Sequence, residues 1–385
     1  MDRHTSRKIS VLRFLAVASV VVFHAFPFEP GTFVVAPPAT GSAARFFEGF
    51  VSLALMRWAL PFLGLVSGYL FFRTFTPTAA GYAAKLRSRA RTLLLPFLIW
   101  SGLGVLFSIA ITASPFAHVS AYWTMHSVGQ ALDEWLLHPV VYPLWFLQAL
   151  MTCMVLSPLV YLAVKYLRGW VLVLAAVWWV TGWAPATLRL WVSPTAFPPF
   201  ILGAAIALLA WKAPFGDRKD VPPWLTAALT AAWLASAALF TAWGHDLGRW
   251  QRAGLLPVVV LGVCTAWTLA DLVRPRLPDR WVAAALYVAP LSFFVYVTQE
   301  PALSVLKNLT RRAGPGLPPV VAYLIPPALV ICLAVAVALA LRRLVPRAFA
   351  VVTGGRVPKP ASDPPDSAPP EPAVQPQRAE DGAPV

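Results

Sequence analysis

Residues 9–27 read ISVLRFLAVASVVVFHAFP and decide the class of fold. Apart from Arg13 and His24 the stretch is apolar or small, and it has about the length that a helix needs to cross a bilayer. A backbone in lipid must satisfy its own hydrogen bonds, so such a segment is a helix. Basic residues precede it, as in a signal peptide, but Arg13 interrupts the apolar run and no small-residue cleavage site follows. We therefore predict a retained first transmembrane helix.

The rest of the chain repeats this composition. Hydrophobic residues make up 58% of the 385 positions, and charged residues only 12%, which is about half the share in a soluble domain. Apolar blocks of about twenty residues recur, and they predict an all-α integral membrane protein with about ten transmembrane helices. The predicted spans are 9–27, 50–72, 92–112, 141–163, 170–185, 196–211, 223–243, 254–271, 283–304 and 319–342.

Basic residues predict the orientation. The segments assigned to the cytoplasm carry more than twice as many Lys and Arg residues as the outer segments, which places the N and C termini in the cytoplasm. The net charge of +15 is then a topology signal, and we expect the lipid bilayer as a partner and no nucleic acid. We predict a transmembrane domain over 1–345 and a disordered, Pro-rich cytoplasmic tail over 346–385. The Cys and His spacings match no common metal motif, so we expect no metal.

Two ionisable residues share the first span, and such residues are the first candidates for function because they are costly in lipid. Arg13 and His24 are eleven residues apart. That is almost three helical turns, so both side chains share one face, with a rise of about 16 Å between them. Arginine can bind a phosphate, and neutral imidazole can take a proton from a hydroxyl. The alternative is that Arg13 snorkels to the headgroups and His24 is an interfacial residue.

The second and ninth spans carry further candidates. Arg57 lies inside the second span near its outer end, and the Gly64/Gly68 pair that follows permits close helix approach. Glu300 lies toward the outer end of the ninth span. We expect Glu300 to pair with Arg57 or to orient His24, the alternative being a carboxylate at the water boundary.

Three other segments combine charge or aromatic character. The basic run at 85–91 is either a positive-inside anchor or a cytoplasmic phosphate-binding patch. The longest outer loop, 113–140, is a candidate sugar platform, and its part from 127 to 137 is predicted as an interfacial amphipathic helix. Trp145 opens the fourth span in an aromatic segment that an interfacial belt explains equally well.

Taken in order, these segments resemble the membrane acyltransferase-3 family, which includes bacterial O-acyltransferases acting on surface carbohydrates. The likeness covers roughly 1–345. It is carried by Leu12-Arg13-Phe-Leu-Ala16 with Val22-Phe23-His24-Ala25, by Arg57 through Pro61 to Ser67-Gly68-Tyr69, by the basic run ending in Pro96-Phe97, by Leu-Trp-Phe-Leu at 144–147, and by the segment from Ser292 to Tyr296.

The resemblance implies transfer of an acyl group, often acetyl, from acyl-CoA to a carbohydrate hydroxyl in the bacterial inner membrane. His24 would act as general base or acyl carrier. The residues expected to take part are His24, Arg13 and Glu300 in catalysis, Arg13, Arg87, Arg89 and Arg91 in binding acyl-CoA, and Arg57, Ser67, Tyr69 and Trp145 in binding substrate.

The chain departs from the family pattern at two places. Some members carry an Arg-x-x-Arg pair in the third-span region, whereas the arginines here alternate at 87, 89 and 91. Many members also carry a histidine where this chain has Gln299, so that histidine is not essential here or a neighbour such as Glu300 substitutes for it. An alternative function is a polysaccharide or lipid-linked sugar exporter of the same architecture, which would need no acyl-CoA.

Overall fold

The computed structural model describes residues 3–26, 43–114, 123–183, 191–209, 221–313 and 316–355. Throughout these ranges the chain is helical, with turns and short 3₁₀ or π segments and no strand. The α-helices are α1 Arg3–Ala25, α2 Ala43–Gly49, α3 Ala59–Phe72, α4 Ala79–Arg89, α5 Leu95–Thr112, α6 Val128–Leu136, α7 Trp145–Val155, α8 Ser157–Leu167, α9 Trp170–Thr181, α10 Phe197–Leu208, α11 Pro223–Trp243, α12 Gln251–Val273, α13 Asp279–Val288, α14 Ser292–Ala313, α15 Pro319–Leu344 and α16 Pro346–Val352.

The prediction of an all-α membrane protein is confirmed. Each predicted span falls on a helix or a helical stretch, but fewer than ten are long enough to cross a membrane unaided. Within the described ranges seven stretches are long and apolar enough, or up to eight if the pair α7 and α8, bent by 61°, counts as one. Helices α9 and α10 are apolar but shorter. The count of ten and the cytoplasmic termini therefore remain predictions.

Glycine allows α3 and α10 to pack against each other with their backbones in contact. A side chain on Gly68 would collide with the backbone of Phe200, and one on Gly203 with the carbonyl of Leu65. A side chain on Gly64 would lie 3.2 Å from the backbone oxygen of Ala196. The close helix approach predicted from the Gly64/Gly68 pair is confirmed, because only residues without a Cβ fit this crossing.

Polar contacts hold α1 near both ends. Near its start, the Lys8 ammonium pairs with Asp271 of α12 and lies 3.7 Å from the centre of the Trp267 ring. Near its end, the Ser52 hydroxyl donates to the carbonyl of Val22 at 2.7 Å. Ser52 is fully buried. The helix that carries Arg13 and His24 is thus fixed in the bundle.

The predicted helix in the long outer loop is confirmed, and it packs along α5. The Met125 amide donates to the Thr112 hydroxyl at 2.7 Å, and the Trp135 indole donates to the Leu98 carbonyl at 2.9 Å. Thr112 and Leu98 are fourteen residues apart on α5, about 21 Å of helix. Helix α6 therefore runs antiparallel to α5 and returns the chain to the depth of Leu98. Residues 115–122 of this loop lie outside the described ranges.

The first ten residues of the predicted tail belong to the folded domain, so the boundary at 346 is wrong. Phe349 of α16 is 2% exposed, and its ring centre lies 5.6 Å from that of Phe294. The Trp100 indole donates to the Val352 carbonyl at 2.9 Å. Aromatic burial extends the packed chain to 355, and the predicted tail from 356 onward lies outside the described ranges.

The backbone of α14 breaks at Glu300, whose dihedral angles are φ −113° and ψ 139°. Pro301 follows, and a proline disfavours helical geometry in the residue before it and donates no hydrogen bond itself. The break turns two consecutive polar residues inward, so that Gln299 is fully buried and Glu300 is 3% exposed.

Candidate active site

His24 lies in the last turn of α1 and is only 4% exposed. Its ring nitrogen Nδ1 is 3.1 Å from Oε1 of Gln299. The Lys307 ammonium donates to the backbone carbonyls of His24 at 3.3 Å and Phe26 at 3.1 Å. A lysine near the C-terminal end of a helix can bond the last carbonyls of that helix. Side-chain and backbone contacts from α14 therefore both hold His24.

Gln299 links α14 to α1. Its Nε2 donates to the backbone carbonyl of Tyr296 at 2.9 Å. The Tyr296 hydroxyl in turn donates to the carbonyl of Pro143, in the 3₁₀ turn Tyr142–Leu144 that precedes α7. Helix α1, helix α14 and the Tyr142–Leu144 turn therefore meet beside His24.

Tyr142 connects the imidazole with the buried carboxylate. Its ring meets the His24 ring edge-on, with centres 4.9 Å apart and planes at 86°. Its hydroxyl donates to Oε1 of Glu300 at 2.9 Å, and the Ser304 amide donates to Oε2 at 3.4 Å. The Tyr142 side chain thus links the Glu300 carboxylate to the His24 ring.

One of the two expected partners of Glu300 is wrong, and the other is not a direct contact. Gln299 rather than Glu300 contacts the ring nitrogen of His24, and Glu300 meets the imidazole through the Tyr142 side chain. Glu300 does not pair with Arg57, since among the described residues that arginine has no carboxylate within ion-pair distance. The helix break at Glu300 explains why Gln299 rather than Glu300 contacts His24, because it directs the two neighbouring side chains to different partners.

Arg57 lies close to His24, as expected from its position in the second span. It belongs to the 3₁₀ turn Leu55–Trp58, and its guanidinium lies 4.6 Å from the centre of the Phe23 ring. Its Nε donates to the Leu53 carbonyl at 3.3 Å. The charges of Arg57 and Lys307 both act on the imidazole. His24 consequently has two cations in its surroundings.

A second cationic cluster forms farther back along α1, toward the predicted cytoplasmic end. Arg13 and Arg89 are close enough for their charges to repel. The Nε atom of Arg89 is buried without a hydrogen-bond partner, as is the Thr92 hydroxyl. In the described part of the chain neither arginine has a carboxylate partner. Arg87 and Arg91 are exposed, so only one member of the alternating basic run meets Arg13.

The other predicted substrate-binding residues do not contact His24. Ser67 and Tyr69 of α3 and Trp145 of α7 are half-buried, and in the described structure no hydrogen bond or ring contact joins them to the imidazole. Helix α3 follows the turn that holds Arg57, beside the His24 end of α1, and returns along it. Ser67 lies ten residues after Arg57, about 15 Å of helix, which is close to the depth of Arg13. The acceptor role expected for them stays untested.

The sequence alone did not point to Tyr142 or Lys307, and it marked Gln299 only as a departure from the family pattern. Tyr142 stands three residues before Trp145, outside the aromatic segment that was singled out. Lys307 is a lone cation beyond the end of the ninth predicted span. Neither carries a pattern of its own, because each is brought to His24 only by the packing of α14 and the Tyr142–Leu144 turn against α1.

Comparison with known proteins now gives the class of protein. A family model described as an acyltransferase domain, that of the acyltransferase-3 family, matches residues 7–343. The chain therefore belongs to this family of acyl-transferring enzymes, and the resemblance found in the sequence is confirmed. The succinoglycan biosynthesis protein ExoH of Rhizobium meliloti (strain 1021) is 28% identical over 371 residues, covering 92% of this chain and 94% of that protein. No solved structure gives a significant match.

Proposed function

We propose that this protein transfers an acyl group, in the simplest case acetyl, from acyl-CoA to a hydroxyl of an exported or surface carbohydrate. The observation that carries the proposal is that one helix, α1, brings Arg13 to Arg89 and holds the buried His24 eleven residues farther on. The similarity to a protein named for succinoglycan biosynthesis supports a polysaccharide as the acceptor.

The donor is proposed to bind by its phosphates at the Arg13–Arg89 pair. Two guanidinium groups without a carboxylate partner in the described chain repel each other, and a phosphate between them would remove that repulsion. Arg87 and Arg91 are exposed nearby and would face the same phosphates from the rim. Because acyl-CoA is made in the cytoplasm, this end of α1 would face inward and the protein would lie in the bacterial inner membrane.

The pantetheine arm would then extend along α1 and carry the thioester to His24. Ser67 and Tyr69 fit this path by their depth, so we assign them to the donor arm rather than to the acceptor. The acceptor would approach the opposite side of the imidazole, where the chain before Trp145 passes His24 as the Tyr142–Leu144 turn.

His24 is proposed as the general base. Its free ring nitrogen takes the proton of the acceptor hydroxyl while the hydroxyl oxygen attacks the thioester carbonyl. The resulting oxyanion would be stabilised by Arg57, whose guanidinium lies over the neighbouring Phe23 ring. Collapse of the intermediate breaks the carbon–sulfur bond, and the leaving thiolate recovers the proton from the imidazolium. Glu300 acts through Tyr142 and is a positioning residue in this scheme.

The test compares two histidines that differ in burial. Membranes from cells producing wild-type protein, His24→Ala or His138→Ala are incubated with radiolabelled acetyl-CoA, and label in the carbohydrate fraction is counted. We expect His24→Ala to lose at least about 100-fold in rate, the usual contribution of a general base. His138, which is exposed and pairs with Asp133 at 3.0 Å, should be dispensable.

Two results would overturn the proposal. One is full transfer by a His24→Ala protein that is present in the membrane at the wild-type level. The other is failure of the purified wild-type protein to bind acetyl-CoA at all, which is the behaviour expected of an exporter.

A further inference from the structure

We propose that Gln299 is a positioning residue that fixes His24 in the tautomer protonated on Nδ1, so that Nε2 is the nitrogen that accepts the proton of the acceptor hydroxyl. This inference rests on the proposed role of His24 as a base. It assigns to the buried carboxamide the task that a carboxylate performs beside many catalytic histidines.

The first step is the orientation of the Gln299 side chain. An amide oxygen and nitrogen are distinguished by their partners, and one end of this amide lies 2.9 Å from the backbone carbonyl of Tyr296. A carbonyl oxygen only accepts hydrogen bonds, so the NH₂ group must be the end that faces Tyr296. The amide oxygen of Gln299 therefore faces the His24 ring, 3.1 Å from Nδ1.

The position of the imidazole proton follows from this orientation of the amide. An amide oxygen cannot donate, so the hydrogen bond between His24 and Gln299 requires a proton on Nδ1. Neutral imidazole carries one N–H, which leaves Nε2 with its lone pair. The reverse tautomer would bring two lone pairs together inside a buried site, since Gln299 is fully buried and His24 is 4% exposed.

The third step is that both partners are held in place. His24 is fixed through its backbone carbonyl by Lys307, and α1 is fixed two residues earlier by the bond from Ser52 to Val22. The Gln299 amide is used at both ends, at His24 and at Tyr296. The carboxamide therefore cannot rotate without losing two hydrogen bonds in a buried site.

The charged and titratable groups around His24 do not replace Gln299. From α14 the Lys307 ammonium reaches the backbone, and Glu300 is bonded to the Tyr142 hydroxyl. From the turn before α3, the Arg57 guanidinium lies over Phe23. Within the described structure Gln299 is thus the acceptor at Nδ1, and it is uncharged at every pH.

The test reads the tautomer directly. Protein labelled with ¹⁵N-histidine is placed in lipid nanodiscs, and the His24 nitrogen signals are identified as those missing from a His24→Ala sample. We expect the signal pattern of an Nδ1-protonated ring in the wild-type protein. A His24 spectrum with the proton on Nε2 in the wild-type protein overturns the inference whatever the activity is.

A kinetic test separates positioning from mere structure. Gln299→Leu removes the acceptor and should lower kcat about 10- to 100-fold, the usual loss when the group orienting a functional histidine is removed. Gln299→Glu keeps an acceptor but adds a charge that stabilises imidazolium, so the acid limb of its pH–rate profile should move to higher pH. Gln148→Leu is the matched control, because Gln148 is equally buried and its side chain donates to the Leu137 carbonyl, away from the imidazole.

The outcomes distinguish the two levels of the argument. If His24→Ala remains active, the proposed function fails. If His24→Ala is inactive but both Gln299 variants keep the wild-type kcat and pH profile, only the role of Gln299 fails. A third outcome also overturns the inference. In it, Gln299→Leu and Gln148→Leu lose kcat equally, and the acid limb of Gln299→Glu stays where it is in the wild-type protein. Gln299 would then be a packing residue.

Discussion

Replacement of Arg89 by methionine tests which arginine of the basic run binds the donor. The substitution keeps an unbranched apolar stem and removes the guanidinium and its charge. Arg89 is the member of the run whose charge acts on Arg13 and whose Nε is buried without a partner. Arg91→Met is the comparison variant, because Arg91 is exposed, stands two residues away and is proposed to face the phosphates only from the rim.

The expected magnitude follows from one lost charge-assisted contact. Hydrogen bonds to charged groups contribute about 1.5–3 kcal/mol, and each 1.4 kcal/mol is tenfold in affinity, so acetyl-CoA should bind about 10- to 150-fold more weakly. For the exposed Arg91 an ion pair in water predicts a change of less than about fivefold.

The assay is binding to the purified protein in lipid nanodiscs, measured with acetyl-CoA and with acetyl-pantetheine. The second ligand keeps the thioester arm but lacks the nucleotide and its phosphates. The difference between Arg89→Met and wild type should therefore vanish with acetyl-pantetheine. An equal loss with both ligands, or an equal loss in Arg91→Met, would refute the placement of the phosphates at Arg13 and Arg89.

Two further predictions concern the packing and the polar network. Gly68→Leu should prevent α3 from packing on α10, because its side chain would overlap the Phe200 backbone, and the protein should fail to yield a monodisperse peak in size-exclusion chromatography. Tyr142→Phe keeps the ring against His24 but leaves the Glu300 carboxylate without its 2.9 Å bond, so kcat should fall by roughly tenfold in the transfer assay, with the affinity for acetyl-CoA unchanged.

Each of these variants has a counterpart in the chain. Gly169 has no atom within 4 Å of where a Cβ would stand, so Gly169→Leu should elute like wild type. Tyr166 is 72% exposed, and Tyr166→Phe should retain full kcat. A monodisperse Gly68→Leu protein would contradict the proposed crossing of α3 and α10. A Tyr142→Phe enzyme with wild-type kcat would show that the Glu300 contact does not matter for the reaction.

The sequence predicts the helices and the shared face of α1 because those features depend on local physics. Apolar runs of sufficient length must be helical in lipid, and a fixed helical repeat places Arg13 and His24 on one side. The close crossing at Gly64 and Gly68 also follows from residue size. These features need no knowledge of what the helices pack against.

The partners of these residues could not be read in the same way, because irregular backbone intervenes. The π segment Ala90–Leu94 begins within the basic run, contains Arg91 and leads into α5, and a wider turn shifts the phase of side chains around a helix. A regular helical repeat therefore does not predict which of the alternating arginines lies near Arg13. The break at Glu300 similarly brings Gln299 rather than Glu300 to the His24 ring nitrogen. The path of α6 along α5 depends on contacts between distant segments, which no local pattern encodes.

Because α1 is an unbroken helix fixed near Lys8 and near Val22, it sets the distance between the proposed donor site and the proposed base. An unbroken helix has a set rise of about 1.5 Å per residue, so the gap between Arg13 and His24 cannot stretch to suit its cargo. A donor whose phosphates are seated at one end must present its reactive carbon at one height. Acyl carriers of other lengths would bind and yet miss the imidazole, which makes selection by length a property of the scaffold rather than of any single contact.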